Sequence, residues 1–284
     1  MRSKKVEKLY IYPIKSCRGI AVERMLIGPF GPLHDREYVV VDKDNMFLSQ
    51  REHAKLCLVS VLMDERGLSI NIEGLGGADA EFSYYGHQET IRSIAGEECK
   101  ARWAGSPAAD RLFSELLGIH CKLMKLDPKE PRERQMPVSG RWAPMGFGDE
   151  APFLVVSESA LQGLNRRLAD KGRRRVGWEQ FRPTIVIGGA YAHAEDYWKQ
   201  MSVGGIDFSF EGRCDRCKVV HTDQRTARGR PKGEPTRTLM GYRADAGPDG
   251  KQSPYFGSRY LHLDEGSIAV GDSVVVRHDP WGGG

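Results

Sequence analysis

No run among the 284 residues stays apolar for the roughly 18 positions that a membrane-crossing helix requires. Cysteine is scarce: six residues, at 17, 57, 99, 121, 214 and 217, of which only the last two lie close together. That spacing excludes a compact disulfide framework and fits reduced thiols. The N-terminal Met1-Arg2-Ser3-Lys4-Lys5 is basic, but Glu7 and Lys8 break the apolar stretch behind it, which argues against a secretory signal. A cytoplasmic protein with no membrane contact is expected. An excess of charge of one sign is lacking too: 42 Lys and Arg against 38 Asp and Glu leave +4, too little to imply a nucleic-acid partner. There is no P-loop and no dinucleotide fingerprint; Gly188-Gly189 alone is no nucleotide signal. Nothing resembles a Ser-His-Asp triad or a glycosidase carboxylate pair.

What is present is an ordinary globular composition, 40% hydrophobic and 28% charged. Short β-type runs separated by turn residues dominate it. Strands are predicted at Leu9 to Tyr12, Tyr38 to Val41, Cys57 to Leu62, Leu68 to Ile72, Phe153 to Val156, Thr184 to Ile187, Ile206 to Phe210, Lys218 to His221 and Ser273 to Val276. Two helices are predicted. One opens on Ser106-Pro107, buries Leu112, Phe113, Leu116 and Leu117, and stops at Gly118. The other is read from a capping box of Ser159 with Gln162 and the stripe Leu161, Leu164 and Leu168. Prolines at 128, 131, 137, 144 and 152 mark residues 127 to 152 as a crossing segment or loop between two β-rich halves. The expected fold is therefore mostly β with a few helices, in two units, 1–126 and 127–284, of barrel or sandwich type.

The chemistry concentrates in Arg213-Cys214-Asp215-Arg216-Cys217. A thiolate is the metal-binding and nucleophilic form of cysteine, and neighbouring guanidiniums favour the anion. The spacing also suits half a zinc knuckle, yet no second pair and no His-x₃₋₅-His follows. A thioredoxin-like pair would need to open a helix, whereas Lys218 to Thr222 reads as a strand. Two buried structural thiols are the remaining alternative. A basic cluster, Arg166 to Arg175 with only Asp170 opposing it, is either a solvated helix end or a docking face for an acidic protein.

Seven motifs, in order along nearly the whole chain, resemble the MOSC-domain molybdenum-cofactor proteins, the group of the mitochondrial amidoxime-reducing component and its bacterial relatives. They are Tyr12-Pro13-Ile14-Lys15-Ser16-Cys17, Gly31-Pro32-Leu33-His34-Asp35-Arg36 and Phe47-Leu48-Ser49-Gln50-Arg51, then Asp149 to Leu154 and Phe181 to Ile187. The stretch from Cys214 through Lys232-Gly233-Glu234-Pro235 to Leu239 and the tail, Ser253 to Gly257 with Ile268 to Val274, complete the set.

The resemblance implies an N-terminal β-barrel-like domain packed on a MOSC β-barrel domain, with a molybdenum cofactor (molybdopterin) in the cleft between them. It implies Cys217 as the metal ligand and catalytic residue. Lys15 and Ser16 would grip the cofactor phosphate, Arg36 and Arg182 would add planar contacts, and Asp149 would accept from pterin nitrogens. Asp215 and Arg216 precede the ligand, with aspartate where the family often has serine; Thr184 stands where it usually has asparagine. His34 and His221 are candidate proton donors. The implied activity is reduction of small N-hydroxylated or N/S-oxygenated compounds. A separate ferredoxin, flavoprotein or b-type cytochrome would supply electrons, because these cysteines cannot ligate a plant-type cluster and the sequence ends soon after Val276, at Trp281-Gly282-Gly283-Gly284. The alternatives are a sulfur carrier or transferase using a Cys217 persulfide, or a cofactor-binding or delivery protein.

Overall fold

The computed structural model describes residues 3–93, 95–247 and 250–277, so Met1, Arg2 and the stretch Trp281 to Gly284 lie outside the described residues. Strands dominate, with three α-helices among the described residues: α1 (Pro107–Leu117), α2 (Glu158–Asp170) and α3 (Thr236–Met240). The mostly β expectation holds.

The largest sheet has nine strands. Its path runs Ile20–Val22, Lys5–Ile11, Ile185–Gly188, Phe153–Ser157, Gln252–His262, Ile206–Asp215, Gln200–Val203, Val274–Arg277, with Ala244–Ala246 added on Gln252–His262. Only Phe153–Ser157 and Ile185–Gly188 are parallel, and α2 lies in the chain between them, as a parallel pair requires. The sheet curls around Leu9, Phe153, Ile185, Trp198, Phe208 and Tyr260. The segment leading into Val274–Arg277, at one end of the path, approaches Lys5–Ile11, next to the other end, through the isolated Lys5–Ser273 bridge, with Gly271 N donating to Val6 O at 2.8 Å. No ladder closes it, so the barrel implied by the resemblance is an open curl among the described residues.

A second core gathers Tyr38, Val40, Ile70, Leu112, Phe113 and Leu123 under α1. Tyr38–Val41 is buried at every position because Tyr38 and Val40 face this core while Val39 and Val41 face a third one with Phe47 and Met124. A continuous β-branched run is what two-sided burial demands. The predicted start of α1 is observed: Ser106 Oγ accepts from Ala109 N at 3.2 Å, and Gly118 closes the helix at φ 71°.

Three local predictions are corrected. The second helix opens at Ser157, without a capping bond, while Ser159 Oγ donates to Ala190 O; the capping box does not form. Ala54–Leu58 is a 3-10 turn, so the strand there covers only Ser60–Met63. Lys218–His221 is a 3-10 turn as well, because Val220 is drawn inward against Phe181, Leu239 and Phe256. The proline-rich segment is ordered, with a hairpin of Arg132–Gln135 and Trp142–Met145 inside it. The chain also crosses the 126/127 division early: Lys5–Ile11 pairs with Ile185–Gly188, and Arg24–Gly28 with Gly266–Ala269.

One buried carboxyl sets a pH dependence. Glu195 is fully buried, and that burial, with Asp196 beside it, pushes its carboxyl up to about 7. A pKa raised by folding adds stability that is complete below the ordinary carboxyl range and is lost as pH rises through about 7. The loss across that window is about 3 kcal/mol. Glu195→Gln should therefore melt later than the parent near pH 8 and nearly together with it near pH 5, by roughly 5 °C or more at the higher pH. A constant Tm difference across that range would refute the assignment.

Candidate functional site

Where Lys5–Ile11 ends at Pro13 the chain turns inward, and Lys15 N donates to Tyr38 O at 2.8 Å. Next along, Arg36 is clamped at both backbone groups: its N donates to Tyr12 O at 2.8 Å and its O accepts from Phe147 N at 2.7 Å. This close approach requires glycine at 146, because a Cβ there would stand 2.8 Å from the carbonyl oxygens of Asp35 and Arg36. Ile206–Asp215 delivers the cysteines. Two bulges on its ladder with Gln252–His262, at Phe210/Gly212 and Arg213/Asp215, bend the strand end that carries Cys214. Cys217 then caps the 3-10 turn of Lys218–His221.

These segments enclose a cavity of about 210 Å³. Lys15, Ser16, Arg36, Asp149, Arg182, Asp215, Arg216 and Cys217 all line it, although they are scattered over 200 positions of sequence. Three of them, Ser16 (φ 69°), Arg36 (φ 49°) and Arg182 (φ 58°), have left-handed backbone, a strain that concentrates at functional sites. Thr184 is the exception among the expected residues. It is fully buried, and its hydroxyl exchanges hydrogen bonds with the backbone of Leu154, so it braces the neighbouring strand rather than facing the cavity.

The cations are organised in two groups. On one wall the guanidinium carbons of Arg36 and Arg182 stand 4.4 and 4.2 Å from the centroid of the Tyr12 ring. Arg36 is ion-paired with Asp35, and Arg182 donates to Cys17 O at 2.5 Å. Burial, with Arg36 nearby, pulls the Arg182 guanidinium down to about 10. Such crowding of like charge inside a protein favours an anionic ligand. On another wall Lys15, itself buried, donates to Phe147 O at 2.7 Å and to Asp149. Burial lowers the Lys15 pKa; for Asp149 burial is outweighed by Lys15 and Arg51, which hold its carboxyl well below the usual range. Lys15 is thus a buried ion-pair partner.

The two cysteines have different cationic neighbours. Arg216 donates to Cys214 Sγ at 2.9 Å and to Phe181 O at 2.7 Å, and Arg213 pairs with Asp245 at 2.6 Å. Arg51, 166 residues earlier, lines the same cavity as Cys217 and interacts with it electrostatically. Burial opposes its charge, but Asp149, 3.0 Å away, and Cys217 raise its pKa above the ordinary value. Asp215 is balanced by Arg259, which donates to it at 2.5 Å and also pairs with Glu150. Its acidity is therefore not turned wholly against an anionic ligand. Arg51 and Glu150 sit inside two of the sequence motifs; Arg259 lies two residues beyond one, and no local pattern marks it. Arg216 Nε is buried without a hydrogen-bond partner among the described residues. Neither histidine reaches the cavity: His34 is stacked on Phe82 and bonded to Glu37, and His221 bonds Thr236 at 2.7 Å.

Models of two families match the chain: the MOSC N-terminal beta barrel domain over residues 3–120 and the MOSC domain over residues 143–275. Mitochondrial amidoxime-reducing component 1 of Mus musculus is 32% identical over 283 residues, covering 95% of this chain and 82% of that protein. Molybdenum cofactor sulfurase of Solanum lycopersicum is 28% identical over 265 residues, covering 84% of this chain and 31% of the larger relative. Among solved structures, the YUAD protein from Bacillus subtilis aligns over 96% of this chain and 94% of its own, at 13% identity and a TM-score of 0.38.

Proposed function

This chain belongs to the MOSC family, and from that premise we propose that it is a molybdenum-cofactor reductase of small N-hydroxylated compounds, with Cys217 as the protein ligand. The observation that carries the reading is one cavity lined by six cationic side chains, those of Lys15, Arg36, Arg51, Arg182, Arg216 and Arg259, together with Cys217. The donor set fits a phosphate-bearing pterin. Arg216 Nε, buried and unpartnered among the described residues, offers a donor to an acceptor that they do not supply.

In this reading Lys15 and Ser16 hold the phosphate, with Arg36 and Arg182 adding bidentate contacts. Asp149, fixed by Lys15 and Arg51, accepts from pterin N–H groups, and Asp215 and Arg216 border the ligand cysteine. Residues from both proposed units, 1–126 and 127–284, meet in this cleft. The bound cofactor supplies the two-electron chemistry. In the net reaction a hydroxylamine takes up two electrons and two protons, its N–O bond breaks, and an amine and water leave. The protein's part is to bind, orient and exclude water.

The electrons are proposed to come from a separate carrier, since no dinucleotide fingerprint or cluster-binding cysteine run is present. Protein purified with its cofactor should contain molybdenum and reduce a hydroxylamine with an artificial small-molecule donor. With NADH alone it should show less than about 1% of the rate reached once a reductase and carrier are added, because hydride transfer needs a bound and oriented nicotinamide. Robust turnover from NADH alone would defeat the separate-carrier reading. The resemblance to molybdenum cofactor sulfurase supports a second reading, sulfur transfer through a Cys217 persulfide. Mass spectrometry showing a sulfur adduct on Cys217, in protein free of molybdenum, would favour it.

A further inference from the structure

The geometry points to a docking surface for an acidic electron-carrier protein, formed where the end of α2 and residues 171–175 meet the segment 223–237. It rests on the reductase reading and names that reaction's partner surface. The two segments are far apart in sequence and carry the same charge, so left to Coulomb repulsion they would separate. They are instead fastened together. Arg230, whose side chain is only 9% exposed, donates to Arg174 O at 3.0 Å and Arg175 O at 2.7 Å and pairs with Asp223 at 3.4 Å. Lys171 Nζ donates to Thr238 Oγ1 at 3.1 Å.

The result is a face on which Arg174, Arg175, Arg225, Arg228, Lys232 and Arg237 are exposed. None of the six forms an ion pair among the described residues. The acids of the same segments do little to offset them. Asp223 is taken up by Arg230, and Glu234 is buried, accepting from Thr238 N at 3.0 Å. Only Asp170 stays exposed. Gathering like charge costs free energy, and spending a nearly buried arginine to hold the gathering in place suits steering of an oppositely charged partner.

Position links this face to the cavity. Arg230 N donates to His221 O at 2.7 Å, and Thr222 bridges Gly229. His221 is the last residue of the 3-10 turn that Cys217 caps. Four residues of such a turn rise about 8 Å, so the edge of the cationic face begins close to the cysteine that lines the cavity. A nucleic acid fits less well, because residues 166–175 and 223–237 contain no aromatic side chain on which bases could stack.

The test uses the full chain with its cofactor, a triple variant Arg174→Glu/Arg175→Glu/Arg228→Glu, and a control Arg111→Glu on α1. The carrier probe is a soluble b-type cytochrome of negative net charge, and reduced methyl viologen serves as the small donor. At low salt the triple variant should associate with the cytochrome at least about tenfold more slowly than the parent and converge with it at high salt. Its turnover with methyl viologen and its melting curve should stay unchanged. If charge reversal impairs folding, the corresponding glutamine variant should show a smaller loss with the same salt dependence. Unchanged association in a folded variant, a loss no greater than that of Arg111→Glu, or tighter binding of a single-stranded oligonucleotide than of the cytochrome would overturn the surface. Failure of the parent to turn over with methyl viologen, while the cytochrome-binding difference persists, would instead strike at the reductase reading alone.

Discussion

Cys217→Ser should abolish molybdenum-dependent turnover and lower the molybdenum retained on purification by at least about 100-fold, since changes to residues that only support a metal ligand already cost 10–100-fold. A hydroxyl does not replace a soft thiolate as a metal ligand. Cys214→Ser should keep a substantial part of the activity, within about tenfold of the parent, at the low end of that range. The two thiols are three residues apart, yet Cys214 accepts from Arg216 whereas Cys217 interacts electrostatically with Arg51. A serine at 214 retains an oxygen that Arg216 can still address. Metal analysis and turnover of the two variants in parallel decide the matter, and the opposite ranking would end the ligand assignment.

Arg51→Ala is expected to cost about 10–100-fold in molybdenum retention, the range for residues that orient a ligand from behind. The fold should lose less than about 1 kcal/mol, because the pair it breaks is partly solvated and Lys15 remains on Asp149. Arg51→Lys should recover little, since one ammonium does not reproduce the guanidinium's planar contact with Asp149. Metal content and Tm measured on the same samples separate the effects. A large drop in Tm with metal retention intact would make Arg51 a structural residue only.

Much of this protein was legible in its sequence, because several of its determinants are local. Ser106 and Gly118 bound α1, Leu68 to Ile72 alternates as a half-buried strand, and the motifs marked all but one of the expected contact residues on the cavity wall. What the sequence could not decide depends on partners distant in the chain. Lys218–His221 has the β-branched composition of a strand but turns as a 3-10 element, since burying Val220 against Phe181, Leu239 and Phe256 outweighs local preference. Thr184 matches a motif position, yet Leu154 engages its hydroxyl. Arg213 and Arg216 flank the cysteines in sequence, but only folding brings Arg51 into the cavity with Cys217, Arg259 to Asp215, and Arg230 onto the carbonyls of Arg174 and Arg175. Backbone propensity and apolar period act over a few residues, and they shaped the elements that could be read. Electrostatic pairing acts through space, so which charge meets which was settled only by the curled sheet and its bulges.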